Sequence, residues 1–253
     1  PKDHDFHESL KNQIHYKSGD SLERMRTLIL ASLLGFLIPL LTLFFSFEHV
    51  LYDASFYQDE FISYDAYASV PDADTHIQEL LEFYRSGTQH NLPLSPDEQE
   101  HIKDVKEVLD KVHVAFQSLA LLGLLVAVAT LLRIKGYGPY ILKCFRSMLF
   151  AAAIASAIIL FVLIASLSFF RMSFTGMHQA LFLEGTWVFP QDSLLIQLFP
   201  QQFFIDFAKE AVVTYILIMI TLGIMAWFLL YVQPLIHRNK GVKTRVSATR
   251  RFK

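Results

Sequence analysis

The sequence predicts an all-α membrane protein, a four-transmembrane-helix bundle with both termini cytoplasmic and two extracytoplasmic loops carrying interfacial helices. Three observations predict it. Of the 253 residues, 53% are hydrophobic and only 18% charged, with 23 phenylalanines, whereas soluble domains carry about a quarter charged residues. Four charge-free runs reach the roughly 20 apolar residues that a helix needs to cross a hydrocarbon core about 30 Å thick. Lys and Arg gather on alternate connections: Lys2, Lys11, Lys17, Arg24 and Arg26 before the first run, Arg133, Lys135, Lys143 and Arg146 between the second and third, and Arg238 to Lys253 after the fourth. By the positive-inside rule these segments share the cytoplasmic face. A net charge of -2 offers no global field for a nucleic-acid partner.

The first run, about 27–47, lies between Arg26 and Glu48 and reads as a retained anchor, because it is longer than a signal-peptide core and no small-residue cleavage site follows Phe47. The outer loop 48–111 holds 15 Asp and Glu. Within it, Tyr52, Phe56, Tyr57, Phe61, Tyr64 and Tyr67 show no helical period and are expected to be extended chain. From Asp72 to Tyr84 the spacing of Ile77, Leu80, Leu81 and Tyr84 predicts an amphipathic helix stopped by Gly87. Ser95-Pro96-Asp97-Glu98 is a capping box with proline at the first helical position. From it the stripe Val105, Val108, Leu109 and Val112 meets no breaker before Gly123, so a long helix is expected to run directly into the second span, about 112–132.

The third span is expected at about 147–170. The second outer loop, 171–209, is apolar and aromatic without holding a full span, as interfacial segments are. Pro190 and Pro200 bracket a short piece with Asp192 as its expected N-cap. The fourth span, about 210–233, is expected to be cut short by Pro234, ahead of the basic cytoplasmic tail 238–253. Cys144 is the only cysteine and lies near the inner end of the third span, so no disulfide staples the outer loops.

His4, His7, His15 and His237 fall on the cytoplasmic side, while His49, His76, His90, His101, His113 and His178 face outward. His101 and Asp104, three apart on the capped helix, fit either an imidazole positioned by an acid or an ordinary solvated face. Spacing alone favours the second. His178 is a polar ring among aromatics close to membrane depth, where burial without a partner is costly; an interfacial ring with its tip in water fits equally. His113, at the mouth of the second span, reads best as an interfacial anchor. A metal site from His101, Asp104, His178 and Glu184 is conceivable, but no HExxH or paired cysteines support one. No GxSxG surrounds Ser173 or Ser193, so no covalent nucleophile is indicated.

Glu98-x-Glu100-His101-x-x-Asp104-Val105, and later Gly176-x-His178-x-x-Leu181-Phe182 followed by Trp187, Asp192, Leu195-Ile196 and Leu198-Phe199-Pro200-x-x-Phe203-Phe204, resemble the lipoprotein intramolecular transacylase family (Lit) of Gram-positive bacteria. The resemblance covers the four-span frame and both outer loops. It implies an acyltransferase of the bacterial cytoplasmic membrane whose partners are the bilayer and diacylglyceryl-modified lipoproteins. Such enzymes move the sn-2 acyl chain to the α-amino group of the N-terminal cysteine, giving the lyso-form. The resemblance implies no cofactor and no metal, and it makes His101 and His178 the catalytic pair.

A compatible mechanism uses one histidine, preferably His178, as base on the amine and the other to stabilise the oxyanion or protonate the departing glyceryl oxygen. Asp104 would orient His101, Arg171 would help hold the oxyanion, and Trp187, Phe182, Phe174 and Asp192 would contact the substrate. Amine and ester on one molecule react without a covalent enzyme intermediate, since a near-attack geometry supplies about 7–11 kcal/mol. A straight helix from Pro96 would lift His101 roughly 15–18 Å above the membrane. Either that helix bends near Lys111, or its apolar stripe already lies among the headgroups. Two other readings fit the sequence: a metal-dependent hydrolase of lipids or lipopeptides, and a non-catalytic lipid- or partner-binding subunit.

Overall fold

The computed structural model describes residues 2–89, 91–134, 138–183 and 185–249, with side chains described for 21–89, 91–134, 140–183 and 185–230. His90, Lys135, Glu184 and the last residues of the basic tail lie outside the described residues, and Lys2, Lys11, Lys17, His4, His7, His15, Pro234, His237 and Arg238 outside the described side chains.

Among the described residues every regular element is helical: α1 (Lys2–Leu51), α2 (Ala54–Ser63), α3 (Ala66–Ser69), α4 (Ala73–Ser86), α5 (Pro96–Arg133), α6 (Gly138–Ser168), α7 (Phe170–Leu181), α8 (Leu194–Leu198) and α9 (Gln201–Thr249). Four stretches are long and apolar enough to cross a membrane: Ser21–Leu51, Pro96–Arg133, Tyr140–Ser168 and Gln201–Leu230. The helix that carries the fourth apolar stretch begins at Gln201, directly after Pro200, because proline excludes the preceding residues from the helix but suits its start. Its backbone helix does not stop at Pro234.

The chain divides into two compact units, Pro1–Val213 and Thr214–Lys253. The second is the remaining length of α9, whose exposed Leu217, Ile220, Ile224 and Phe228 suit a lipid surround.

In the first unit, α1, α5 and α6 pack side by side. In lipid the hydrophobic effect does not hold apolar helices together, so close backbone approach and interhelical hydrogen bonds take its place. The α1–α6 seam uses both. Ser32 Oγ and Ser147 Oγ are 2.7 Å apart, and a Cβ built on Gly35 would lie 2.0 Å from the Met148 carbonyl oxygen. Because Ser32 meets Ser147 and Gly35 meets Met148, residue numbers rise together and these helices are parallel. The α1–α5 seam runs the other way: Glu48 Oε1 pairs with His113 Nε2 at 2.9 Å, the Phe44 and Phe116 rings lie 5.8 Å apart, and Glu23 pairs with Arg133 at 3.9 Å.

Beyond one end of this bundle, α2, α3, α4, α8 and the first turns of α5 and α9 enclose an aromatic core that includes Tyr57, Phe61, Tyr84, Leu195, Leu198 and Phe203. The stretch 52–67, expected as extended chain, is instead α2 and α3. Asp53 caps α2 by accepting the Ser55 N–H at 3.0 Å, and Tyr57 and Phe61, one turn apart, bury the same face. The tyrosines disguise that face because each buries its ring and satisfies its hydroxyl: Tyr57 donates to Leu51 O at 2.9 Å and Tyr64 to Leu198 O at 2.7 Å. Helix α4 buries Ile77, Leu80, Leu81 and Tyr84 and ends on Gly87, whose φ of 73° is the left-handed conformation glycine adopts without strain.

Helix α7 follows α6 after a break at Phe169, whose backbone leaves the helical region at φ -114° and ψ 40°. Phe169 N–H donates to Ala165 O at the end of α6 and Ser173 N–H to Phe169 O at the start of α7, each at 3.0 Å.

The Gly35 contact is the tightest test of the bundle. Gly35→Ala should destabilise the protein by about 1–3 kcal/mol, as overpacking does. Thermal unfolding of detergent-solubilised protein measures this, and an unchanged midpoint would show that α1 and α6 do not touch there.

Candidate active site

The first turn of α5 is set by its capping box: Ser95 Oγ accepts the Glu98 N–H at 3.3 Å, and Glu98 Oε2 accepts the Ser95 N–H at 2.9 Å. Three residues past Glu98, His101 faces α7. On α7, Phe170, Phe174 and His178 recur every four residues and so form one aromatic ladder. The Phe170 and Phe174 ring centroids lie 5.5 Å apart, and those of Phe174 and His178 4.1 Å.

The ladder ends at His101. The His101 and His178 rings stack with centroids 6.3 Å apart and planes inclined by 19°. Phe182 lies 4.9 Å and Phe189 5.4 Å from the His101 ring, while Trp187 lies 4.8 Å from that of His178. Two imidazoles from segments far apart in sequence thus share one aromatic cage.

The surroundings fix the state of each ring. His178 Nδ1 lies 2.8 Å from the Phe174 carbonyl oxygen. A carbonyl only accepts, so in the neutral ring Nδ1 carries the hydrogen and Nε2 presents a bare lone pair. Burial pushes His178 below the usual histidine range, against the opposing pull of that hydrogen bond. His101, in the part of α5 that precedes its apolar stretch, is pushed down to about 4, first by burial and then by His178; Asp104 pulls the other way and is outweighed. Near neutral pH both rings are uncharged.

Two nitrogens of this cage, His101 Nδ1 and Trp187 Nε1, are buried with no hydrogen-bond partner among the described residues. Buried polar atoms are nearly always paired, so both nitrogens call for a partner from outside the chain, whether water or ligand.

A family model described as lipoprotein intramolecular transacylase Lit matches residues 32–204. The chain belongs to this family. Two solved structures show the same fold. One is the in meso structure of the membrane integral lipoprotein intramolecular transacylase Lit from Bacillus cereus, 20% identical, with a TM-score of 0.61 over 83% of this chain and 94% of that one. The other is the same Bacillus cereus protein carrying a histidine-to-alanine substitution, 17% identical, with a TM-score of 0.64 over 88% of this chain and 99% of that one. No curated protein matches the chain.

Of the residues the family resemblance singles out, His101, His178, Phe174, Phe182 and Trp187 converge. Arg171 lies elsewhere: it lines an open cavity of about 590 Å³ with Ser168, Phe169, Phe170, Met172, Thr175, Gly176 and Gln179. Asp192 is exposed and does not cap α8. Ser193 does, its hydroxyl accepting the Ile196 N–H at 3.4 Å, while the Asp192 carbonyl takes Gln197 Nε2 at 2.9 Å.

Among the other histidines expected to face outward, His49 stacks on Phe45 at 6.2 Å, and His113 spans Leu109 O at 2.8 Å and Glu48 Oε1 at 2.9 Å. Phe189 was readable only as one aromatic among many. Glu98 was readable as a capping residue, but its second oxygen was not: Oε1 accepts the Leu195 N–H at 2.9 Å.

The lowered histidines make acid sensitivity a test of the cage. The unfolded chain binds a proton on His101 near pH 6.5 while the folded protein resists until about pH 4. Folding stability is therefore lost as pH falls through that window, and the ring contributes no further change above it. His101→Phe removes this share, so the thermal midpoint of the variant should gain on that of the wild type steadily from pH 7 to about pH 4.5. A constant difference across the range would show that His101 titrates like a surface histidine.

Proposed function

We propose that the protein is a lipoprotein intramolecular transacylase of the bacterial cytoplasmic membrane, acting at its extracytoplasmic face. It moves the sn-2 acyl chain of a diacylglyceryl-cysteine lipoprotein to the α-amino group of that cysteine. The observation that carries the reading is the pair of neutral, facing imidazoles within an aromatic cage. The alternating Lys and Arg segments support the orientation.

In this reaction the amine nitrogen forms a bond to the sn-2 ester carbonyl carbon. His178 Nε2, the free lone pair, accepts the proton released from that nitrogen. The tetrahedral carbon then expels the sn-2 glyceryl oxygen, breaking the ester C–O bond, and that oxygen takes a proton back. The amide and the free hydroxyl are the products, with no net gain or loss of protons by the enzyme. His101 donates to the oxyanion as a neutral imidazole, as lowered histidines do in other enzymes. The Trp187 indole N–H is a second unpartnered donor beside it. Phe174, Phe182 and Phe189 receive the acyl chain and keep water from the tetrahedral carbon.

The shape of the cage also accounts for the absence of a nucleophilic serine or cysteine motif. Both reacting groups arrive on one substrate, so holding them in near-attack geometry supplies about 7–11 kcal/mol. A single general base then adds on the order of 10²–10⁴ in rate. Among the described residues, which leave out Glu184, no three metal-ligating side chains converge.

Purified protein incubated with a synthetic diacylglyceryl lipopeptide should yield, by tandem mass spectrometry, an N-acylated lyso-lipopeptide of unchanged total mass. His178→Ala should lower the rate by about 10²–10⁴, and His101→Ala by a similar factor. Free fatty acid as the product would instead establish a hydrolase. Retention of full activity by either variant would remove that histidine from the mechanism.

A further inference from the structure

Glu98 is 3% exposed, and both of its oxygens are engaged. Oε2 accepts the Ser95 N–H at 2.9 Å, the local bond of the capping box. Oε1 accepts the Leu195 N–H, also at 2.9 Å, across 97 residues of sequence. Leu195 lies in the first turn of α8, where N–H groups have no partner within the helix. Glu98 on Leu195 and Ser193 on Ile196 between them satisfy two such donors.

One carboxylate therefore caps two helices. His101 follows it by three residues on α5, and the segment leading to Leu195 carries Trp187 and Phe189, which pack on His178 and His101 respectively. At the far end of α8, Tyr64 Oη donates to Leu198 O at 2.7 Å, so the short helix is held at both ends.

We propose that Glu98 is a positioning residue for acyl transfer: its carboxylate locks the 187–195 segment to the first turn of α5 and so holds His101 and His178 in register. The inference rests on the reading of those histidines as the reacting pair. A carboxylate suits the position and an amide does not. In Glu98→Gln the side chain would present one acceptor oxygen and one NH2 group to two N–H donors, leaving a buried donor unpaired.

The test uses Glu98→Gln and Glu98→Asp in the full-length protein, with the diacylglyceryl lipopeptide as substrate and amide hydrogen exchange as a second readout. The Leu195 amide should be protected in the wild type, and Glu98→Gln should speed its exchange by about tenfold or more, the loss expected when a buried bond to a charged group is broken. The same variant should lower kcat by about 10²-fold, as small misplacements of reacting groups do, while KM stays within about threefold. Glu98→Asp keeps both acceptor oxygens and should fall between Glu98→Gln and wild type on both readouts. In a His178→Ala background, Glu98→Gln should add little further loss, because the geometry it sets no longer has a base to serve.

Unchanged kcat in Glu98→Gln with faster Leu195 exchange would leave a tether without a catalytic role and overturn the proposal. So would an unprotected Leu195 amide in the wild type, a measurement that stands even if Glu98→Gln does not fold. Full activity in His101→Ala or His178→Ala would sink the histidine reading instead, whatever the exchange data say of the tether.

Discussion

The buried carboxylate of Glu98 is the constraint around which the region beyond the bundle is arranged. Taking a carboxyl group out of water is costly unless hydrogen bonds replace its hydration. Here the replacements are backbone N–H groups at the starts of two helices, which the local dipoles make favourable partners for an acidic group. The bond to Leu195 links segments that no covalent bridge can join, since Cys144 is the only cysteine. The aromatic residues on either side of that link pack against one another. Phe199 and Phe203 close on Tyr57, Phe189 on His101, and Trp187 on His178.

A link beyond the spans is useful only if both partners reach the same height. Helix α5 begins well before its apolar stretch, which carries His101 roughly 15–18 Å past it, and that alone would leave the ring without a counterpart. The counterpart comes from α7, a separate helix after the break at Phe169, whose His178 ring stacks on His101. On the proposed chemistry, the same construction would bring the cage near the level of a lipoprotein's N-terminal cysteine, with the glyceryl esters just beneath.

What could be read in the sequence follows the strength of each local rule. The spans were legible because run length and charge placement are independent of packing, and the start of α5 because Ser95, Pro96 and Glu98 satisfy several capping rules at once. Helix α4 was legible from its four apolar positions. The helices α2 and α3 were not, since tyrosines on their buried faces blur the polar–apolar contrast that reveals a period, and the hydroxyl bonds of Tyr57 and Tyr64 form only in the fold. Asp192 and Ser193 are adjacent and equally good caps on intrinsic preference; tertiary packing chose Ser193. The second bond of Glu98 left no local trace, because its partner is a backbone N–H that any residue but proline supplies.

The same contrast explains why pattern alone weighed against His101. A histidine three residues before an aspartate on a charged helix reads as a solvated face, and Asp104 does pull towards protonation. The fold reverses the outcome by bringing up Phe182, Phe189 and the second imidazole, whose combined desolvation and repulsion outweigh the acid. On the proposed chemistry, a charged ring could not take up the proton that the reaction would release from the amine. A neutral ring would leave His178 free to accept it and His101 able to donate a hydrogen bond without surrendering its proton. On the proposed chemistry, the aromatic cage does more than receive an acyl chain: by excluding water it sets the protonation states on which the transfer depends.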